Sequence, residues 1–69
     1  MITVAGNFNA VHAQTYSAPE ADLIRELIRV HGAEYDSLAD LIADYAEELD
    51  ILADAATMDA IAEAQAERG

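Results

Sequence analysis

Leu38-Ala39-Asp40-Leu41-Ile42-Ala43-Asp44-Tyr45-Ala46-Glu47-Glu48-Leu49-Asp50-Ile51-Leu52 is the stretch on which the reading of this chain turns. Its large apolar residues fall at 38, 41, 42, 45, 49 and 52, with spacings of 3, 1, 3, 4 and 3. That is the period of one helical face, about four turns long. Asp40, Asp44, Glu47, Asp50 and the following Asp54 lie mostly off that face. The stretch predicts a helix over about 37–53, opened by Asp36 or Ser37 as a cap. Positions 38, 45 and 52 repeat every seven residues, which suits a short helix–helix seam. Glu48 stands where such a seam wants an apolar residue, so the pattern predicts bundle packing rather than a long coiled coil.

Upstream, Ser17-Ala18-Pro19-Glu20 has the capping-box spacing, with Pro in the first turn where its missing N–H costs nothing. Leu23, Ile24, Leu27 and Ile28 then share one stripe. A helix over about 18–31 follows, ended by Gly32, with His31 beside the negative C-terminal dipole. Downstream, a break near Asp54–Thr57 precedes a third helix over about 58–67, capped by Asp54 or Thr57. Its apolar face is thin: Met58, Ile61 and Gln65, with Ala62. Such a helix needs something larger to dock on.

Residues 1–17 differ from the rest. They hold Ile2, Thr3, Val4, Phe8, Val11, Thr15 and Tyr16 and no Asp, Glu, Lys or Arg. Val and Thr favour strands, and Gly6-Asn7 is a turn dipeptide. Ile2–Ala5 and Ala10–Tyr16 therefore read as two strands of a short hairpin. The alternatives are a segment that pairs across a dimer or one that stays mobile until bound. The expected fold class is mainly α: a single small domain, residues 1–69, built as a three-helix bundle with this hairpin or mobile segment in front.

Size bears on assembly. A core drawn from 69 residues is small. The usual reinforcements are disulfides, metals or self-association. The chain has no cysteine and only two histidines, so no metal site is expected, and a homo-oligomer or a protein partner is the expected remedy. The apolar fraction of 54% exceeds that of a disordered acidic tail, although 16 of those residues are alanine.

Charge limits the partners. Fourteen acids face three arginines and no lysine, giving a net charge of −11. Such a surface repels nucleic acid and anionic membranes and favours a basic protein. The competing explanation is a proteome-wide acidic bias, as in salt-loving organisms, and the absence of lysine fits it. No run approaches the ~18–20 apolar residues of a membrane span. Residues 1–10 lack the basic region of a secretory signal, so a cytoplasmic location is expected.

No catalytic, cofactor-binding or metal-binding residue is assigned. Asp36, Asp40 and Asp44 stand at i, i+4 and i+8, but a helical row spreads carboxylates about 6 Å apart rather than converging them on a cation. His12 and His31 are the only side chains suited to neutral-pH proton transfer, one on a strand and one at a helix end. Ser17 and Ser37 serve as caps, and an enzyme is not expected. Tyr16, Tyr35 and Tyr45 read as core-edge residues, not as a base-stacking platform.

Three stretches carry a family resemblance: Glu34-Tyr35-Asp36-Ser37-Leu38, Leu49-Asp50-Ile51-Leu52-Ala53-Asp54 and Met58-Asp59-Ala60-Ile61-Ala62-Glu63-Ala64. Over about residues 34–67 the chain resembles the C-terminal regions of antitoxins from toxin–antitoxin pairs, in the Phd/YefM and RelB style. The likeness is one of composition and layout. It implies acidic helices that wrap and block a small basic toxin, often a ribonuclease. Carried over, Leu49, Leu52, Met58 and Ile61 would be apolar anchors with Tyr45 at their edge, and Asp50, Asp54 and Glu63 would meet toxin Arg and Lys. The family's N-terminal DNA-binding domain has no counterpart, because residues 1–24 contain no Lys or Arg. Direct nucleic-acid binding is therefore not carried over. Two other functions compete: a viral inhibitor that mimics nucleic acid to block a host defence complex, and a structural module that forms a helical homodimer.

Overall fold

The computed structural model describes residues 1–68 and is mainly helical. The chain runs through α1 (Val4–Asn7), α2 (Ala10–Ala13), α3 (Ala18–His31), a 3-10 turn (Gly32–Glu34), α4 (Leu38–Asp44), α5 (Ala46–Leu52) and α6 (Ala55–Arg68). The described residues span 28 × 25 × 19 Å. No described helix is long and apolar enough to cross a membrane.

The first long helix forms where the sequence places it, over Ala18–His31. Its buried face is Glu20, Ala21, Ile24 and Ile28, while Leu23 and Leu27 are only half-buried. The stripe has rotated slightly from the one that leucine spacing suggested. Gly32 follows α3 but does not end it through a left-handed residue: its φ is −55° and ψ −31°. Its smallness matters for another reason. The Ile2 N–H donates to the Gly32 carbonyl at 3.0 Å. A Cβ on Gly32 would stand 2.7 Å from the Ile2 carbonyl oxygen and 3.3 Å from Ile28 Cγ2. Glycine is what lets the N-terminal backbone lie against the end of α3.

The expected hairpin is not formed; residues 1–17 contain two single helical turns instead. Thr3 caps α1, its Oγ1 accepting from the Gly6 N–H at 3.0 Å while its own N–H donates to Asn7 Oδ1 at 3.0 Å. Asn9 caps α2, with Oδ1 accepting from the Val11 and His12 N–H groups at 3.0 and 3.3 Å. These side chains satisfy donors that a strand would have sent to a partner strand. Ile2 and Phe8 are thereby buried in the core. The Phe8 ring lies 5.6 Å from the Tyr16 ring, with the Arg25 guanidinium 5.7 Å from its centroid.

The expected single helix over 37–53 is two helices, α4 and α5, broken at Tyr45, whose φ of −109° and ψ of 15° leave the helical region. Ser37 caps α4 as its position suggested, accepting from the Asp40 N–H at 3.2 Å. The hydrogen bonds from the Tyr45 N–H to Leu41 and from the Leu49 N–H to Tyr45 survive at 3.2 and 3.1 Å. The break is therefore a bend rather than a rupture. Its cause is packing: α4 lies mainly on α6, α5 reaches α3, and a straight rod could not follow both. The bend brings Leu49 into the core with Leu41 and Ile42. Tyr45 packs at the corner, stacked at 5.8 Å on His31 and edge-on at 6.5 Å to Tyr35.

The last helix begins at Ala55, three residues earlier than expected. Asp54 caps it, Oδ1 accepting from the Thr57 N–H at 2.9 Å. Its buried face is Thr57, Ile61 and Ala64. At its far end Arg68 clamps α4, donating to Asp44 at 2.7 Å and lying 3.8 Å from Asp40. Those are two of the three carboxylates in the Asp36–Asp40–Asp44 row. Among the described residues the architecture is thus six helices around one core, in place of the expected three helices and hairpin.

Gly32→Ala tests the close approach. Helix propensity alone favours alanine by up to about 1 kcal/mol. The crowding against Ile2 and Ile28 instead predicts a net loss of about 1–3 kcal/mol, read from the midpoint of urea denaturation.

Candidate protein-binding face at the α5–α6 corner

Six of the candidate contact residues are split between core and surface by the corner where α5 turns into α6. Leu49 is fully buried and Ile61 nearly so, both inside the core. Both pack inward here, Leu49 beyond the bend at Tyr45 and Ile61 on the face by which α6 docks. Leu52 and Met58 remain 43% and 39% exposed, and the neighbouring Ile51 is 81% exposed. Asp50 and Asp54 are both exposed. Tyr45 is half-buried and spent on His31 and Tyr35.

Between α5 and α6 runs an open groove of about 320 Å³, lined by Ala46, Glu47, Asp50, Met58, Ile61, Ala62 and Gln65. Three of the candidates line it together: Asp50, Met58 and Ile61. Its lining combines the apolar Ala46, Met58, Ile61 and Ala62 with two carboxylates from α5, Glu47 and Asp50. Glu63 belongs elsewhere. It lines a second open groove of about 460 Å³, formed by the N-terminal turns, α4 and α6, with His12, Tyr16, Ser37 and Glu67.

The electrostatics around the corner are one-sided. All three arginines are engaged by acids within the chain: Arg25 with Asp22 at 3.2 Å, Arg29 with Glu26, and Arg68 with Asp44 and Asp40. Among the described residues Glu47, Glu48, Asp50, Asp59, Glu63 and Glu67 make no ion pair. The Asp54 carboxyl is held below its ordinary range by the hydrogen bond from the Thr57 hydroxyl, at 2.7 Å, and then by the Thr57 backbone. The Tyr35 hydroxyl is pushed up to about 12, first by partial burial and then by the Asp44 carboxylate beside it.

Glu47, which the sequence places off the apolar face, lines this groove together with Ala46. Glu20 and Thr57 were missed as a buried polar pair. Ser17 and Glu20 were assigned to each other as a capping box, but the Ser17 N–H donates to Thr57 Oγ1 at 3.1 Å and the two side chains bond directly, also at 3.1 Å. The spacing of Ser17 and Glu20 was the visible signal. Their partner, 40 residues away, was not.

Chemically this face offers apolar contacts and negative charge. Among the described residues no cluster of three metal-ligating side chains is present. Comparison with protein-family models, curated proteins and solved structures finds no match to the chain.

The division between core and surface predicts opposite outcomes for two leucines three residues apart. Leu49→Ala lowers stability by about 2–5 kcal/mol. Leu52→Asp changes it by less than about 1 kcal/mol, as a half-exposed site should. Paired denaturation curves decide it.

Proposed function

We propose that this chain is an acidic protein-binding module that neutralises a basic protein, acting as an antitoxin-like inhibitor of a small toxin nuclease in the cytoplasm. The observation that carries this reading is half-exposed Met58 sharing one groove with Glu47 and Asp50, carboxylates that make no ion pair, with half-exposed Leu52 at the nearby end of α5. Apolar side chains on a firm base supply affinity. A surrounding field of one sign speeds encounter and rejects partners of like charge.

In this reading Met58 and Leu52 insert into the partner. Glu47, Asp50 and Asp54 meet its Arg and Lys side chains. Leu49, Ile61 and Tyr45 support the face from behind rather than touching the partner. Glu63, on the opposite flank of α6, belongs to the contact only for a partner that wraps around the helix. The chain needs no catalytic group or cofactor for this role and makes no direct contact with nucleic acid.

A second copy of the chain is the rival occupant of the same face. Two bodies of net charge −11 repel at low salt. That favours a basic partner over a homodimer at this surface.

The experiment identifies the gene neighbouring this one and measures binding of its product to the chain; a neighbour that is not a small basic protein, or one that does not bind, overturns the proposal. Raising salt from about 0.05 to 0.5 M should slow association by at least about tenfold. Leu52→Asp with Met58→Asp should weaken binding by about a hundredfold or more in a variant that still folds, the scale of lost apolar anchors. Binding that ignores both substitutions overturns the proposal.

A further inference from the structure

Glu20 is the most unusual side chain in the molecule. It is a carboxyl with no solvent exposure, set in the first turn of α3. Oε1 accepts from Ser17 Oγ at 3.1 Å, and Oε2 is buried without a hydrogen-bond partner. An ionised carboxylate with one orphaned oxygen is costly to bury. A protonated one is far less so, because its bare oxygen is then a neutral carbonyl.

The surroundings form a chain of hydroxyls linking three segments. Ser17 Oγ also lies 3.5 Å from the Leu52 carbonyl, the last of α5. The Ser17 N–H donates to Thr57 Oγ1, and the Thr57 hydroxyl donates to Asp54 Oδ1. Thr57 is itself buried, at 1% exposure. The start of α3 is thus tied to the end of α5 and the start of α6 at one point.

Ser17 has a single hydroxyl proton, and two acceptors compete for it. With Glu20 ionised, that proton is held by Oε1 and the Leu52 carbonyl is left without it. With Glu20 protonated on Oε1, the carboxyl donates to Ser17 Oγ, and the Ser17 hydroxyl turns its own proton to the Leu52 carbonyl. We propose that Glu20 is a proton-operated latch: protonation completes the relay from α3 through Ser17 to α5, and ionisation opens it and loosens the α5–α6 corner.

The groups that face Glu20 point the same way. Asp50 from α5 and Asp54 from the corner are acids, and the Tyr16 phenol lies just ahead of α3. Burial is the largest influence and raises the Glu20 proton affinity; the Ser17 hydroxyl opposes it, and Asp54 and Asp50 add to it. The positive end of α3 also favours the anion and opposes the rise. The net direction is upward. A group whose folded proton affinity is raised stabilises the fold fully below its ordinary range. That contribution is lost as pH rises through the folded value. Asp54, held low, runs in the opposite sense: its contribution is present above the ordinary Asp range and is lost as pH falls.

The latch is independent of any partner, and it is tested on the free chain. The Glu20 carboxyl carbon is followed by NMR against pH, together with hydrogen exchange of the Ser17, Thr57 and Met58 amides corrected for intrinsic rates. Glu20 should titrate above the ordinary glutamate range. Protection at the three amides should fall by about tenfold or more across that midpoint, as expected when a local opening becomes easier. Glu20→Gln should hold protection level over the same range. Ser17→Ala, which removes the donor that holds the anion, should move the Glu20 midpoint still higher. A Glu20 that titrates within the ordinary glutamate range overturns the latch, and so does corner protection with the same pH dependence in Glu20→Gln as in the parent chain.

Discussion

The cover that α6 gives to Leu41 and Ile42 is the contact on which the rest of this small fold depends. The face that α6 presents is Thr57, Ile61 and Ala64, with one large apolar side chain among three. So thin a face gains most from close approach, and its many alanines permit it. It cannot also cover α5. The chain answers by bending at Tyr45, which turns Leu49 toward α3, and by folding Ile2 and Phe8 back onto the same core. Each of these moves follows from having too little apolar surface in any single helix, the general difficulty of a domain this size.

Charge is arranged around that core with little slack. The three arginines are used locally, and one of them, Arg68, ties the end of α6 back to α4. The remaining acids, buried Glu20 apart, are exposed, and their field of one sign opposes compaction. Leu52, at the end of α5, and Met58, in the groove between α5 and α6, stay half-exposed within that field. The corner where α5 meets α6 is anchored from beneath by buried hydroxyls and a buried carboxyl rather than by hydrocarbon.

The parts of the fold that were legible in the sequence are those set by local rules. The span of α3, the Ser37 cap and the Asp54 cap follow from spacing and from side-chain hydrogen bonds within three residues. The parts that were not legible depend on contacts far along the chain. The bend at Tyr45 has no proline or glycine to announce it and exists because α4 and α5 lean on different helices. Thr3 and Asn9 were read as strand and turn residues, whereas both act as caps, a role the same side chains support equally well. Gly32 was read as a helix stop when its importance is the passage of Ile2. At the candidate face, Leu52 and Met58 could be picked out as apolar residues at a helix break. Which leucine would turn inward could not, since Leu49 and Leu52 lie on one stripe of a helix that only the folded chain bends.

The position of α6 in the chain sets the order in which this protein can be finished. During synthesis, Leu41 and Ile42 emerge well before Ile61 and Ala64, so the nascent molecule carries a bare apolar strip until those residues are free. Domains complete their packing as units, and this one has no smaller unit to complete first. Asp40, Asp44, Glu47 and Glu48 flank the strip closely and act as gatekeepers against premature sticking. The acidity that dresses the mature surface thus also guards the unfinished chain.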